Sequence, residues 1–321
     1  MTLRAGLAHL LLTASAVMAG PVQAQSYPAQ PVRIIVPFAP GGTVDMLGRL
    51  IAQHIAKPLG QSVVVENRPG AGSAVGTDFV AKASPDGYTL LMASTSSMAV
   101  NPNLQKLPYQ LSNFAPIALV ASVPHVIVVH PGVPAANFRE FVAHAKRIGS
   151  ISYATAGVGT PQHLGGALLG HLAGLTMVDI PYKGTGPALA DVVGGQVPIM
   201  SVDLPPALPF IANGRIRALG VAAKSRSPFA PDIPTMAEAG LPNFEVTGWY
   251  GIVAPAGVPK AVVDKLSSAI VAAMAQPEFK EKLSQIGATP EGLVGPEFGD
   301  FMQRESVKWA TVIRTANIKV E

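Results

Sequence analysis

The sequence predicts an α/β fold of two lobes, and three observations carry that expectation. Short β-branched or apolar runs alternate with helical patterns along most of the chain, an order that places parallel strands in a sheet with helices on both faces. The chain has 321 residues, more than the ~250–300 at which a single core stops growing. The alternation is interrupted near Pro124 and again near Thr247, as in a chain that crosses to a second lobe and returns, leaving a cleft with a hinge. The first lobe is then 25–123 with 247–321, and the second 124–246.

The amino-terminal 24 residues stand apart. Arg4 opens a basic start, Ala5 to Met18 is apolar, and Gly20-Pro21-Val22-Gln23-Ala24 ends in a small-x-small pattern. That run is shorter than the ~20 residues a bilayer requires, so it is expected to be a secretory signal peptide cut after Ala24, with a periplasmic product. From there Val32 to Val36 is a β-branched strand, followed by a helix on which Val44, Leu47, Ile51 and Ile55 form one stripe. Gln61 to Glu66 is a strand, Ser73 to Ala83 a helix, Ser84 to Gly87 a turn, and Tyr88 to Ala93 a strand. Two apolar runs between Ile117 and His130 flank Pro124, which is expected to break them. Asn137 with Glu140 makes a capping-box start for a helix to Ile148. Ile151 to Thr155, Met177 to Tyr182, Pro198 to Asp203 and Ile216 to Ala222 are strands. Between them lie helices over Thr160 to Ala173, Thr185 to Val193 and Leu208 to Ala212. The carboxy-terminal part reads as helices, Lys260 to Ile286 interrupted at Pro277 and Pro296 to Ala316, that pack back on the first lobe.

Composition narrows the function. There is no cysteine, which excludes disulfides, thiolate zinc sites, iron–sulfur clusters and cysteine nucleophiles. The 23 Lys and Arg against 19 Asp and Glu are scattered singly, without a basic run or aromatic platform, so nucleic acid is not an expected partner. No nucleophile elbow, phosphate-binding P-loop or H-E-x-x-H pattern occurs, and the histidines show no metal-ligand spacing. No catalytic residue, metal or cofactor is expected. Gly70 to Gly76 follows a strand and precedes a helix, but its spacing is G-x-G-x-x-x-G, so an exported dinucleotide-binding oxidoreductase is the alternative reading.

Two glycine turns are more informative. Pro40-Gly41-Gly42-Thr43-Val44-Asp45 and Ala156-Gly157-Val158-Gly159-Thr160-Pro161 each join a strand to a helix, one in each expected lobe. Such turns expose backbone N–H groups at a positive helix end, which suits an anion. Together they make a two-jaw clamp for a carboxylate at the carboxyl ends of the strands. Thr43 and Thr160 could donate hydroxyls or cap their helices. Asp45 either stabilises its helix end or meets an amine or water. Phe38 is a ligand wall or core, and Ser94 and Thr95, with Ser96, bind polar atoms or turn the chain. His163 and Asp203 are the ionisable residues expected to face the cleft.

Ser26-Tyr27-Pro28 leading into Val32 to Asp45, Val65-Glu66-Asn67-Arg68-Pro69-Gly70-Ala71-Gly72 and Pro85-Asp86-Gly87-Tyr88-Thr89-Leu90 resemble the Bug family, the extracytoplasmic receptors of tripartite tricarboxylate transporters. Ile180 to Gly184, Ile233 to Gly240 and Trp249-Tyr250-Gly251 extend the likeness. The resemblance implies a Venus-flytrap, type II-like periplasmic-binding-protein fold with two interlobe crossings. It implies a non-enzymatic receptor for a small organic carboxylate, whether di- or tricarboxylate, aromatic acid or acidic amino acid. Such a receptor is a monomer that contacts membrane transporter subunits transiently or serves signalling only. It also implies that Pro40 to Thr43 and Ala156 to Thr160 hold one carboxylate through backbone groups and bridging waters, with Phe38, Ser94, Thr95, His163 and Asp203 facing the rest. Leu204 departs from the polar residue common after Asp203.

Overall fold

A computed structural model describes residues 27–285 and 287–315. The expected signal peptide, and the expected helix ends at Ile286 and Ala316, lie outside the described residues. The elements are β1 (Val32–Val36), α1 (Thr43–Leu59), β2 (Val63–Asn67), α2 (Ala74–Ala81), β3 (Thr89–Ser94), α3 (Asn101–Leu104), β4 (Phe114–Val129), α4 (Phe138–Ile148), β5 (Ile151–Thr155) and α5 (Pro161–Ala173). They continue with β6 (Met177–Pro181), α6 (Thr185–Val193), β7 (Ile199–Asp203), α7 (Leu204–Ala212), β8 (Arg217–Val221), β9 (Thr247–Pro255), α8 (Lys260–Ala275), α9 (Pro277–Gln285), β10 (Thr289–Pro290) and α10 (Gly295–Thr315).

One long strand serves two sheets. Residues Phe114 to Pro124 of β4 pair antiparallel with β9, completing the order β2-β1-β3-β9-β4. From His125 onward β4 pairs instead with β7 on one side and β8 on the other, in a sheet continued by β5 and β6. Pro124 therefore does not break the strand. It sits where the pairing partner changes, and a residue without an N–H removes least from a ladder at that point. The return crossing is the segment before β9, where the His125 N–H donates to the Val246 carbonyl at 2.9 Å.

Three further elements depart from the sequence reading. β9, nine residues in the middle of the first sheet, carried no strand signal. It is buried on both faces, which removes the period of two, and Gly248 and Gly251 thin its apolar run. α7 begins at Leu204 because Pro205 and Pro206 occupy its first turn, where a missing N–H costs little. Ser96 to Val100 forms a wide π-helical turn that leads into α3. The expected stripe of α1 is buried throughout, and Asn137 caps α4 by accepting from the Glu140 N–H at 3.0 Å, but the box is not closed, since the Glu140 carboxylate accepts from the Ala136 N–H and the Asn137 side-chain amide rather than from the Asn137 backbone.

Strand periodicity divides the interior between two apolar clusters. On β1 the side chains of Ile34 and Val36 enter one and Ile35 the other; on β9 Tyr250, Ile252 and Ala254 enter one, Trp249 and Val253 the other. Burying each such large apolar side chain is worth about 1.5–3 kcal/mol. The carboxy-terminal helices close the first sheet: α8 packs on α1 and β4, and α10 on β4 and the Ser96 to Leu104 segment. Trp249 meets Phe298 and Phe301 edge-on, with ring centroids 5.8 and 5.5 Å away. Gly251 leaves no room beneath that cluster, since a Cβ there would lie 2.5 Å from the Phe298 ring and 2.8 Å from the Ala118 carbonyl oxygen. Gly251→Ala is accordingly expected to destabilise the protein by about 1–3 kcal/mol through overpacking, read as a lowered urea midpoint.

Candidate functional site

The carboxyl ends of β1, β3, β5 and β7 and the helices that follow them converge on one buried cavity between the two sheets. It is lined by Phe38, Gly42, Val44, Ser94, Thr95, Ser96, Ala156, Pro161, Gln162, Thr185, Asp203 and Tyr250. Its volume is about 20 Å³, room for little more than one water, so the lobes are drawn together around it. A larger open groove of about 830 Å³ on the outside of the first sheet is lined partly by Arg33, Arg68, Phe79 and Lys82. Its cations already have partners: Lys82 is 2.7 Å from Asp78, Arg68 is 2.6 Å from Glu66 and 3.7 Å above the Phe79 ring, and Arg33 is 3.6 Å from Glu66.

The first glycine turn is shaped from beneath by Asp45. The Gly41 N–H and Arg49 Nε donate to Asp45 Oδ2 at 3.2 and 3.1 Å, and Asn67 Nδ2 donates to Oδ1 at 2.9 Å. Asn67 also donates to the Phe38 carbonyl at 3.0 Å, so one amide joins both ends of the turn. Burial pushes the Asp45 carboxyl upward, but the hydrogen bonds from Arg49, Asn67 and Gly41 outweigh it and the net pKa lies below the ordinary carboxylate value. Asp45 is thus a negative charge spent on its own loop, and it does not line the cavity. Because the residue at the start of α1 is Gly42, no side chain caps the helix, and its first N–H groups keep their hydrogen-bonding capacity. The adjacent Thr43 hydroxyl is buried beside the Tyr250 phenol, whose pKa it lowers, without the alignment of a full hydrogen bond.

The second glycine turn holds itself. Thr160 Oγ1 donates to the Gly157 carbonyl at 2.7 Å and accepts from the His163 N–H at 3.3 Å, so it caps α5. The Gly159 N–H points to His163 Nδ1 at 3.4 Å. Burial lowers the pKa of His163, opposed by the charge of Asp179, and an acceptor at Nδ1 requires the neutral ring. His163 therefore supports the loop rather than lining the cavity.

Asp203, at the end of β7, does line the cavity. Tyr250 Oη donates to its Oδ1 at 2.7 Å, Gln162 Nε2 to its Oδ2 at 3.5 Å, and His125 Nε2 lies 3.1 Å from Oδ1 without hydrogen-bond alignment. Burial, and then the neighbouring Asp203 charge, raise the Tyr250 pKa well above its ordinary value, so the phenol remains a donor. Leu204 is fully buried in the core and presents nothing to the cavity.

Of the residues singled out in the sequence, Phe38, Gly42, Ser94, Thr95, Ala156 and Asp203 reach the cavity wall. Pro40, Gly41, Thr43, Asp45, Gly157, Gly159, Thr160 and His163 form the frame behind it. Ser96, read with Ser94 and Thr95 as binding polar atoms or turning the chain, lines the cavity too, and Gln162, Thr185 and Tyr250 line it without having been assigned to it. For Thr185 a signal existed: Lys183-Gly184-Thr185-Gly186 is a third strand-to-helix glycine turn. Among the described residues no cluster of His, Asp or Glu is arranged for a metal ion, and no helix is long and apolar enough to cross a membrane.

Two α/β lobes joined by crossing strands, with helix amino termini facing a shared buried cavity, define a periplasmic-type solute-binding protein. The family model described as the tripartite tricarboxylate transporter family receptor matches residues 47–318, and the chain belongs to that family. It is 37% identical over 315 residues to the protein BugT of Bordetella pertussis (strain Tohama I), covering 97% of each chain. The solved structure of the periplasmic binding protein BugD is 38% identical with a TM-score of 0.88, over 92% of this chain and 100% of that one. The R. palustris protein Rpa4515, solved with adipate, is 32% identical with a TM-score of 0.88, over 91% of this chain and 99% of that one.

Two outcomes follow from the loop supports. Asp45→Ala leaves the Gly41 N–H and Arg49 Nε without this acceptor and takes from Asn67 one of its two, so a loss of about 1–3 kcal/mol in unfolding free energy is expected by urea titration. His163 has a folded pKa below the value of 6.5 at which an unperturbed histidine titrates, so the unfolded state binds the extra proton first. Its contribution is complete above about pH 6.5 and declines as pH falls toward the folded pKa. Melting temperatures measured between about pH 5 and about pH 8 should show that decline, and His163→Asn, which keeps an acceptor but cannot be protonated, should flatten it.

Proposed function

We propose that this protein is a periplasmic receptor that captures a small organic carboxylate between its lobes and presents it to the membrane subunits of a tripartite transporter. The observation that carries the reading is the uncapped start of α1 at Gly42, on a cavity that the α5 end closes from the other lobe. Backbone N–H groups at helix ends stabilise an anion without a cationic side chain, and charge-assisted hydrogen bonds are worth roughly 1.5–3 kcal/mol each. The adipate bound to Rpa4515 supports a carboxylate as the ligand class.

In this reading Pro40 to Thr43 and Ala156 to Thr160 hold one carboxylate. Phe38, Ser94, Thr95 and Asp203 meet the remainder of the ligand, while Asp45 and His163 act through the loops they support. The lobes are 25–123 with 247–321, and 124–246, a division supported by the exchange of pairing partners between Pro124 and His125. Cleavage after Ala24, a monomeric state, transient contact with the transporter and the lack of enzymatic activity belong to the same proposal. A dinucleotide at Gly70 to Gly76 is disfavoured, because a Cβ on Gly72 would lie 2.0 Å from the Val158 carbonyl oxygen and that backbone occupies the approach a pyrophosphate needs.

Protein refolded from denaturant to strip bound solutes should melt at higher temperature with increasing adipate or another di- or tricarboxylate, aromatic acid or acidic amino acid. A ligand at about 100 times its Kd adds about 2.7 kcal/mol. No shift with any of these acids would overturn the reading.

A further inference from the structure

Closure of the cavity rests on two places where backbone of one lobe touches backbone of the other. In the first, the Ala39 N–H donates to the Lys183 carbonyl at 3.0 Å. Beside it, Gly42 faces Thr185 and Gly186 faces Pro40: a Cβ on Gly42 would lie 3.0 Å from Thr185 Cβ, and one on Gly186 would lie 2.2 Å from the Pro40 carbonyl oxygen. The start of α6 is thus seated directly on the first glycine turn. In the second, Ser96 Oγ lies 2.9 Å from the carbonyl oxygens of both Gly72 and Gly159. Gly72 meets Val158, as described, and Asn101 Nδ2 donates to the Gly72 carbonyl while its Oδ1 closes on Gly159, where a Cβ would fall 1.6 Å away. The two contacts border the cavity, one at Gly42 and Thr185, the other at Ser96 and Ala156.

The partners in each contact belong to different sheets, so both contacts separate when the lobes part. The serine hydroxyl has one hydrogen and two carbonyls within reach, one in its own lobe and one in the other. On opening it retains Gly72, and no buried donor is stranded. The Gly184 to Gly186 turn needs no side chain to make its contact; it needs the absence of one.

We propose that Gly186 and Ser96 are positioning residues for the carboxylate clamp: Gly186 lets α6 seat on Pro40 and Gly41, and Ser96 ties the Gly72 turn to Gly159. Together they set the separation at which both glycine turns reach one ligand. This rests on the receptor reading for what the cleft holds, but the closure itself does not depend on which solute binds.

The two are separated by experiment. The chain has no cysteine, so Gln53→Cys on α1 and Ala190→Cys on α6, both exposed, accept a pair of spin labels whose distance reports closure. In this parent a short-distance population is expected, increased by saturating adipate. Adding Gly186→Ala should abolish that population with and without adipate and weaken adipate binding at least tenfold. The melting temperature of the ligand-free protein should stay unchanged or rise, because alanine is the better helix residue; a role in folding alone would lower it. Ser96→Ala, which removes the tie without adding an atom, should reduce the short-distance population in part. The proposal is overturned if the short distance is absent from the parent under both conditions, or if it survives unchanged in both variants. Failure of adipate to bind, with Gly186→Ala still removing the short distance, would sink the adipate expectation and leave the positioning role standing.

Discussion

The site depends on one buried carboxylate that does not face the cavity. Asp45 is the second residue after Thr43, which begins α1, yet it turns back to take the Gly41 N–H, with Arg49 and Asn67 holding its other lone pairs. That ties the glycine turn to the helix below it and to the end of β2. A turn that presents backbone donors has no side-chain rotamers to adjust, so its accuracy is the accuracy of the loop. The charge sits near a helix end, where it also stabilises the dipole, while the missing side-chain cap at the start of α1 follows from Gly42.

The second determinant is the strand pair β4 and β9. Because β4 belongs to the first sheet up to Pro124 and to the second from His125, the lobes are continuous through a hydrogen-bonded ladder whose partners change over a few residues. Near that point lie His125, Asp203 and Tyr250, with Tyr250 from β9 and Asp203 from β7 sharing a 2.7 Å hydrogen bond across the sheets. The cavity wall and the crossing therefore use the same residues. Each interlobe backbone hydrogen bond contributes only about 0.5–1.5 kcal/mol net.

Much of the architecture could be read from local patterns. The β1 to β3 alternation, the α1 stripe and the Asn137 cap are set by period, capping and turn chemistry, which act within a few residues. Strands buried on both faces lose that period. β9 was invisible for that reason, and β4 looked broken at Pro124 because a proline is read as a stop unless the ladder is known to change there. The prolines of α7 misled in the same way, since their meaning depends on whether they lie inside a helix or in its first turn.

At the site the division has the same cause. The amino-acid order determined that two glycine turns open helices at the ends of parallel strands, because tight turns with positive φ, such as Gly41 at 89° and Gly159 at 73°, demand glycine locally. The order could not assign Asp45 to its own loop, place His163 behind the wall, or bring Thr185 and Tyr250 to the cavity. Asp45 and His163 turn back on residues close in the chain, a choice of rotamer that local pattern leaves open, whereas Thr185 and Tyr250 reach the cavity through sheet register and the approach of segments far apart in the chain. Only the packed lobes decide which glycine faces the cavity and which faces the opposite backbone.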